Sequence, residues 1–166
     1  RDFTGVDIYD DDNVFTDPSG QPTMLVRRNG QFVSSIQQYV EMERAQEPVG
    51  GQFYSFNAVF SPRGEDGTPL QLFDWKTGAI DANVAEAWRK YDISLVLEDN
   101  WSTLGPKLAG KIHVFMGEID TFRLEGALKL LKEKLEELGS DAEIILVEGR
   151  DHGSLFHPHP EFWPKG

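Results

Sequence analysis

The last third of the chain carries its clearest hydrophobic pattern. An apolar run at 111–116 has the composition of a β-strand that is buried on both faces. Leucine and alanine then recur at steps of three and four residues over 121–138, which predicts an amphipathic helix that Gly139 closes. A second apolar run at 143–148 predicts another buried strand. We therefore expect one β-α-β unit over 111–148, with a parallel sheet and a right-handed crossover.

Shorter patterns precede residue 107 and predict smaller elements. Apolar residues at 24–26 and 31–33 flank Asn29-Gly30, a pair that tolerates the positive φ values of a hairpin turn. The stretch 52–80 is aromatic and irregular, and we expect turns at 61–69 and at Thr77-Gly78. Cap residues predict three helices. The first begins at Ser35, with Gln38 completing a capping box, and runs to about Gln46, before a stop at Pro48-Val49-Gly50-Gly51. The second runs from Asp81 to Tyr91, and the third runs from Asp92 to a stop at Gly105-Pro106.

Composition narrows the classes of partner. The chain has 166 residues and a net charge of −12, from 28 Asp and Glu against 16 Lys and Arg. Such an acidic chain repels phosphate backbones and anionic lipid, so we expect neither nucleic acid nor membrane as partners. The absence of cysteine excludes disulfides, thiol nucleophiles and cysteine-based zinc sites. No apolar run approaches the about 20 residues that a membrane-spanning helix needs.

Two polar residues follow the two strands of the predicted β-α-β unit. Asp120 comes after the first strand and His152 after the second. Functional sites in open parallel sheets lie at the carboxyl ends of the strands, where these residues would be neighbours. A carboxylate beside an imidazole is the acid–base half of a nucleophilic triad. The alternatives are that Asp120 only caps the following helix and that His152 is a surface histidine.

These segments resemble the C-terminal end of an α/β-hydrolase, of the esterase-D and feruloyl-esterase type. The resemblance is carried by 110–122, with its Gly-x-x-Asp turn, and by 147–153, with its Gly-x-Asp-His turn. It implies an α/β fold in which 107–166 is the last β-α-β unit of a hydrolase core and 1–106 is a mixed, mostly helical, lid-like insertion. It also implies that Asp120 is the triad acid and His152 the triad base, that the substrate is a small ester, and that no cofactor is needed. Glu118 is a competing acid, less well aligned with the family pattern.

The chain departs from this family in one respect. Such hydrolases carry their nucleophile in a Gly-x-Ser-x-Gly elbow before the acid and the base, and this sequence has no such elbow. Ser140 and Ser154 have the context of turn residues. The chain also begins at Arg1 without a methionine. We therefore expect the C-terminal portion of a longer serine carboxylic-ester hydrolase, which lacks its nucleophile and is inactive alone.

Other interpretations of the sequence stay open. The edge of a truncated sheet could make this a non-catalytic binding module, which then needs either the preceding hydrolase segment or self-association.

Asp10 and Asp12 have part of a calcium-loop spacing, although a solvated acidic loop fits residues 7–17 better. Eight aromatic residues could line an acyl or sugar pocket, form a self-association face, or simply form the core of the insertion: Phe53, Tyr54, Phe56, Phe60, Phe73, Trp75, Trp88 and Trp101. A third hypothesis is a metal site built from Asp151, His152, His157 and His159, whereas His113 is expected in the core.

Overall fold

A computed structural model describes residues 2–46 and 51–158 of the chain. They form a mixed α/β arrangement of helices and two small sheets. The elements are β1 (Met24–Arg28), β2 (Gln31–Ser35), α1 (Ile36–Gln46), α2 (Gln52–Phe60), α3 (Ala82–Trp88), α4 (Ile93–Leu108), β3 (His113–Gly117), α5 (Leu124–Glu137) and β4 (Glu143–Val147), with 3₁₀ turns at Arg89–Tyr91 and Ser154–Phe156. Within the described residues, every helix is too short or too polar to cross a lipid bilayer.

The hairpin and its following helix are as the sequence predicts. β1 and β2 pair antiparallel, and Asn29 and Gly30 take φ values of 51° and 76° at the turn. The capping box is also confirmed, because the backbone N–H of Ser35 donates to Gln38 Oε1 (2.9 Å) and that of Gln38 donates to Ser35 Oγ (3.2 Å). The predicted stop of α1 at Pro48 to Gly50 lies outside the described residues.

The prediction of irregular structure over 52–80 is wrong for its first nine residues, which form α2. No side chain at Gly51 caps this helix. Instead the carboxylate of Glu43, on α1, accepts hydrogen bonds from the backbone N–H groups of Gln52 (2.5 Å) and Phe53 (3.2 Å). Because the capping carboxylate belongs to another helix, no local capping motif in the sequence predicts the start of α2.

The caps of α3 and α4 are confirmed, but the predicted stop of α4 is wrong. Asp81 and Asp92 each accept two backbone hydrogen bonds at the start of their helices. Helix α4 continues past Gly105-Pro106 to Leu108. Pro106 has no N–H to donate, yet the last turn of the helix is still closed by the bond from Ala109 N–H to the Gly105 carbonyl (3.0 Å).

The predicted β-α-β unit is present, with β3 and β4 parallel and in register from His113–Glu143 to Gly117–Val147. Its strands are less buried than predicted, because their central residues are only half-buried. A two-stranded sheet has too few neighbours to cover both faces. The prediction of a core His113 is also wrong: the side chain is exposed, and its Nδ1 lies 2.8 Å from Glu143 Oε2 on the neighbouring strand.

The main core lies in the N-terminal part, not around the parallel strands. Its buried members lie between Val6 and Trp88 and include Phe53 and Phe73. The acidic stretch 7–17 is therefore only partly a solvated loop, because Val14 and Phe15 are buried in that core. Most of the aromatic residues considered above are core members or pack against the core, which favours the structural role for them.

Hydrogen bonds and an ion pair join the N-terminal part to the β-α-β unit. The backbone N–H of Arg27 donates to the Thr121 carbonyl (2.8 Å), and its guanidinium lies 2.5 Å from the buried carboxylate of Glu125. The guanidinium of Arg123 donates to the Met24 carbonyl (2.8 Å). These bonds hold the loop between β3 and α5 against strand β1.

Candidate functional site

Two turns meet at the carboxyl ends of β3 and β4. The backbone N–H of Glu118 donates to the Val147 carbonyl (3.0 Å), and that of Ile119 donates to the Arg150 carbonyl (3.1 Å). These bonds extend the parallel ladder beyond the strands. Gly117 permits this approach, because a Cβ at this position would overlap the Arg150 carbonyl. The Gly-x-x-Asp turn thus has a steric requirement for its glycine.

This arrangement brings Asp120 and His152 into contact. His152 Nδ1 lies 2.9 Å from Asp120 Oδ2. The side chain of Asp120 is 3% exposed, whereas that of His152 is 50% exposed. The pair therefore has a buried carboxylate end and an imidazole that reaches solvent.

Asp120 also caps the loop that leads into α5. Its Oδ1 accepts hydrogen bonds from the backbone N–H groups of Phe122 (2.8 Å) and Leu124 (3.3 Å). Its two oxygens thus have different partners, one the start of the helix and the other the imidazole. The capping interpretation and the histidine-orienting interpretation of Asp120 are compatible, since one carboxylate serves both.

The pairing determines what the imidazole can do. A carboxylate accepts the hydrogen bond, so Nδ1 carries the proton when the ring is neutral, and the lone pair of Nε2 is available. Within residues 2–46 and 51–158, the hydrogen bond of the His152 side chain is the one to Asp120. Nε2 is therefore placed to accept a proton from a molecule at the surface.

An aromatic contact restrains the imidazole further. The ring of Phe122 meets that of His152 edge to face, with 5.4 Å between centroids and an interplanar angle of 79°. Phe122 also contacts Tyr39 of α1, at 6.3 Å. No role of Phe122 was predicted from the sequence. The aromatic side chain two positions after Asp120 was the available signal.

The residues after His152 form a closed turn of their own. Asp151 and Ser154 exchange backbone-to-side-chain hydrogen bonds of 2.9 Å and 2.8 Å, and the Ser154 hydroxyl donates to Asp151 Oδ1 (2.6 Å). Hydrogen bonds from Ser154 hold the pKa of Asp151 below its usual value. Ser154 is therefore a turn residue, as the sequence analysis expects, and its hydroxyl is directed to Asp151.

The other candidate residues do not join this pair. Glu118, the competing acid, is exposed, and its backbone N–H donates to the Val147 carbonyl. No cluster of three or more metal-ligating side chains occurs in the part of the chain that the structure describes, which covers Asp10, Asp12, Asp151 and His157. His159 lies outside that part.

Fold and site together define an α/β protein with a carboxylate–histidine pair at the carboxyl ends of two parallel strands. Compared with known protein families, curated proteins and solved structures, the chain matches none of them. Any function assigned to the pair therefore rests on its own chemistry and geometry.

Proposed function

We propose that Asp120 and His152 are the acid and base of a serine carboxylic-ester hydrolase, of which this chain supplies the C-terminal portion. The observation that carries the proposal is the 2.9 Å contact between a buried carboxylate and Nδ1 of a half-exposed imidazole. That is the relation that a nucleophilic triad requires of these two members. Residues 107–166 would then belong to the hydrolase core, and residues 1–106 to a lid-like insertion.

In this mechanism Asp120, His152 and Phe122 have different tasks. Asp120 holds the Nδ1–H tautomer of His152 and stabilises the imidazolium that forms when the ring is protonated. Nε2 of His152 takes the proton of an attacking hydroxyl and later returns it to the leaving alcohol. The edge of Phe122 limits rotation of the imidazole away from Asp120.

The attacking hydroxyl is not supplied by the described residues. The sequence contains no Gly-x-Ser-x-Gly elbow, and among the described residues no serine is hydrogen-bonded to His152. We therefore propose that the nucleophile and the oxyanion hole lie outside these 166 residues, and that the substrate is a small carboxylic ester. On this proposal the 166-residue chain by itself does not hydrolyse p-nitrophenyl acetate.

The proposal is tested on a longer protein that contains this chain and a Gly-x-Ser-x-Gly elbow. We expect His152→Ala to lower kcat/KM for p-nitrophenyl acetate by about 10³-fold or more, and Asp120→Asn by at least about 10²-fold. The matched control is His157→Ala, an exposed histidine five positions further on, which should leave kcat/KM unchanged. A His152→Ala protein with full activity would contradict the assignment.

A second measurement uses the 166-residue chain itself. The ¹⁵N chemical shifts of His152 should show the Nδ1–H tautomer at neutral pH, and Asp120→Asn should weaken that preference because it replaces an obligate acceptor. If the ring is in the Nε2–H tautomer, it cannot accept a proton from a hydroxyl, and the proposal fails.

Self-association is a second candidate function, favoured by the low burial of the parallel strands. Val114, Met116, Ile144 and Leu146 are only half-buried, whereas parallel strands are normally covered on both faces. A second copy of the chain would cover this apolar surface. Sedimentation equilibrium should then show a dimer, and a monomer throughout the micromolar range would exclude this function.

A further inference from the structure

One residue beside the candidate pair, Asp120 and His152, has a strained backbone. Arg123 has φ 64° and ψ 21°, in the left-handed region that residues with a Cβ rarely occupy. Its N–H donates to the Asp120 carbonyl (3.3 Å), so residues 120–123 form a turn that ends at this strained position. A glycine would adopt the same φ without steric cost. The side chain of Arg123 therefore has to offset the strain through contacts of its own.

The conformation of Arg123 fixes how the Asp120 carboxylate is oriented. The N–H of Leu124 belongs to the peptide unit after Arg123, so the ψ of Arg123 sets its direction relative to the N–H of Phe122. These two N–H groups donate to Asp120 Oδ1, at 3.3 Å and 2.8 Å. With Oδ1 held in this way, Oδ2 faces Nδ1 of His152 at 2.9 Å. The contact within the candidate pair thus depends on the left-handed turn.

The guanidinium of Arg123 is held by three segments of the N-terminal part. It donates to the Met24 carbonyl of β1 (2.8 Å), and its Cζ lies 5.6 Å from the centroid of the Phe32 ring on β2. A Cβ on Gly5 would overlap the guanidinium, so this glycine leaves the space that the guanidinium occupies. These contacts tie the end of the turn to the hairpin and to the loop that contains Gly5.

The charges near this guanidinium are compatible with its position. Arg27 lies over the same Phe32 ring, at 4.7 Å, and it forms an ion pair with Glu125 (2.5 Å). Burial raises the pKa of Asp2, and the positive charge of Arg123 is among those that oppose this rise. Each of the two guanidinium groups therefore has a carboxylate near it, which compensates the repulsion between their like charges.

A second anchor attaches the same loop to β1 without any side chain of the turn. The backbone N–H of Arg27 donates to the Thr121 carbonyl (2.8 Å). Loss of the Arg123 guanidinium would leave this bond in place, so the loop would stay on β1. The segment from Phe122 to Leu124, which carries the two N–H groups that orient Asp120, would lose its restraint.

We propose that Arg123 is a positioning residue for the candidate pair, because its bond to β1 holds the turn that directs Asp120 Oδ2 to His152. The use of the pair in catalysis rests on the proposed hydrolase function. In a triad the acid determines which nitrogen of the imidazole carries the proton. Arg123 acts through Asp120 and not on the substrate, so its loss should lower kcat and leave KM nearly unchanged.

The first experiment measures the tautomer of His152 in the 166-residue chain by ¹⁵N NMR. Arg123→Gly removes the guanidinium and still permits the positive φ, so we expect it to fold. It should lower the ratio of Nδ1–H to Nε2–H by about threefold or more, because the bond to Asp120 is weakened. Arg123→Lys retains a donor for the Met24 carbonyl and should keep the ratio within about twofold of the unmodified chain. A folded Arg123→Gly chain with the unmodified ratio would overturn the proposal.

Two further variants separate positioning from a general effect on the fold. The matched control is Arg63→Ala, because the guanidinium of Arg63 also donates to a backbone carbonyl at 2.8 Å, that of Gly67 in its own loop. It should leave the ratio unchanged, and a fall as large as that of Arg123→Gly would count against a specific role. If Arg123→Gly does not fold, Arg123→Asn replaces it, since asparagine tolerates the left-handed region and is too short to reach β1. A folded Arg123→Asn chain with the unmodified ratio would equally overturn the proposal.

The longer protein that contains a Gly-x-Ser-x-Gly elbow separates this inference from the hydrolase proposal. There Arg123→Gly should lower kcat for p-nitrophenyl acetate about threefold or more and leave KM within about twofold. If His152→Ala loses its activity as expected and Arg123→Gly keeps its kcat, the hydrolase proposal stands and this inference is wrong. If His152→Ala is fully active, the hydrolase proposal is wrong, and the tautomer ratios alone decide whether Arg123 orients the pair.

Discussion

The N-terminal part and the β-α-β unit of this protein differ in how they are stabilised. Among the residues that the structure describes, the buried members of the main core lie between Val6 and Trp88, in a region of helices, one hairpin and long turns. In the β-α-β unit, the regular strands β3 and β4 are mostly half-buried. The main core therefore lies outside the parallel β-α-β unit, among the hairpin and the helices that precede it.

This difference shows what each half contributes. The N-terminal part buries aromatic and aliphatic side chains, which is the main source of folding free energy. The β-α-β unit holds two turns in a defined relation and places Asp120 against His152. The N-terminal part thus contains the main core, and the β-α-β unit carries the candidate chemistry.

The largest expected effect comes from removing the same side chain in each half. Leu72→Ala, at a position that is 1% exposed, should lower the free energy of unfolding by about 3–5 kcal/mol, because it leaves a cavity in the core. Leu146→Ala, at a half-buried position of β4, should lower it by about 1–2 kcal/mol, since less apolar surface is lost there. Urea denaturation measures both. Equal losses would show that the two halves are packed alike.

A smaller effect is expected where the two turns meet. Gly117→Ala should lower the free energy of unfolding by about 2–3 kcal/mol, because its Cβ would overlap the Arg150 carbonyl. It should also separate Asp120 from His152, which NMR would detect as a changed tautomer of the imidazole. The control is Gly153→Ala, whose Cβ would lie 3.9 Å from the nearest other atom, and which should be nearly neutral. Equal tolerance of both substitutions would contradict the steric role of Gly117.

The smallest effect concerns the exposed pair across β3 and β4. The hydrogen bond that the His113 imidazole donates to the Glu143 carboxylate raises the pKa of His113, and the hydrogen bond to the Gly110 carbonyl raises it further. A raised pKa in the folded state means that the stabilisation is fully present below the unfolded pKa of about 6.5 and is lost as the pH rises through the folded pKa. The Tm of the unmodified chain should therefore exceed that of His113→Gln at about pH 5.5 by more than it does at about pH 8.5.

The partner of His113 provides the control for this pH dependence. Glu143→Gln removes the carboxylate, so the substitution of His113 should have a similar effect at both pH values when it is made in that background. If the pH dependence persists without Glu143, another group causes it.

Local patterns predicted the elements that depend on nearby residues. Asn29-Gly30, Ser35 with Gln38, Asp81, Asp92 and Gly139 all have the backbone or cap role that their residue types favour. The turn chemistry of these residues acts over a few positions, so it can be read directly from the sequence. The leucine period of α5 was equally direct.

The failures share a physical cause, because each involves a partner that is distant in the chain. Helix α2 was missed because Glu43 of α1 caps it. The half-buried state of β3 and β4 was missed because burial depends on how many elements surround a strand. The order Asp120 and then His152 indicated the candidate pair, but the contact with Phe122 required coordinates.

The sequence by itself determined the β-α-β unit, the caps and the two residues of the candidate site, since these follow from periodicity, from turn chemistry and from the rule that strand ends carry sites. Only the tertiary structure decided that the main core lies in the N-terminal part, that Gly117 must lack a side chain, and that a groove forms between residues 2–9, residues 88–98 and α5. Those features arise when residues far apart in the chain exclude one another or share a surface, and such contacts have no local signature.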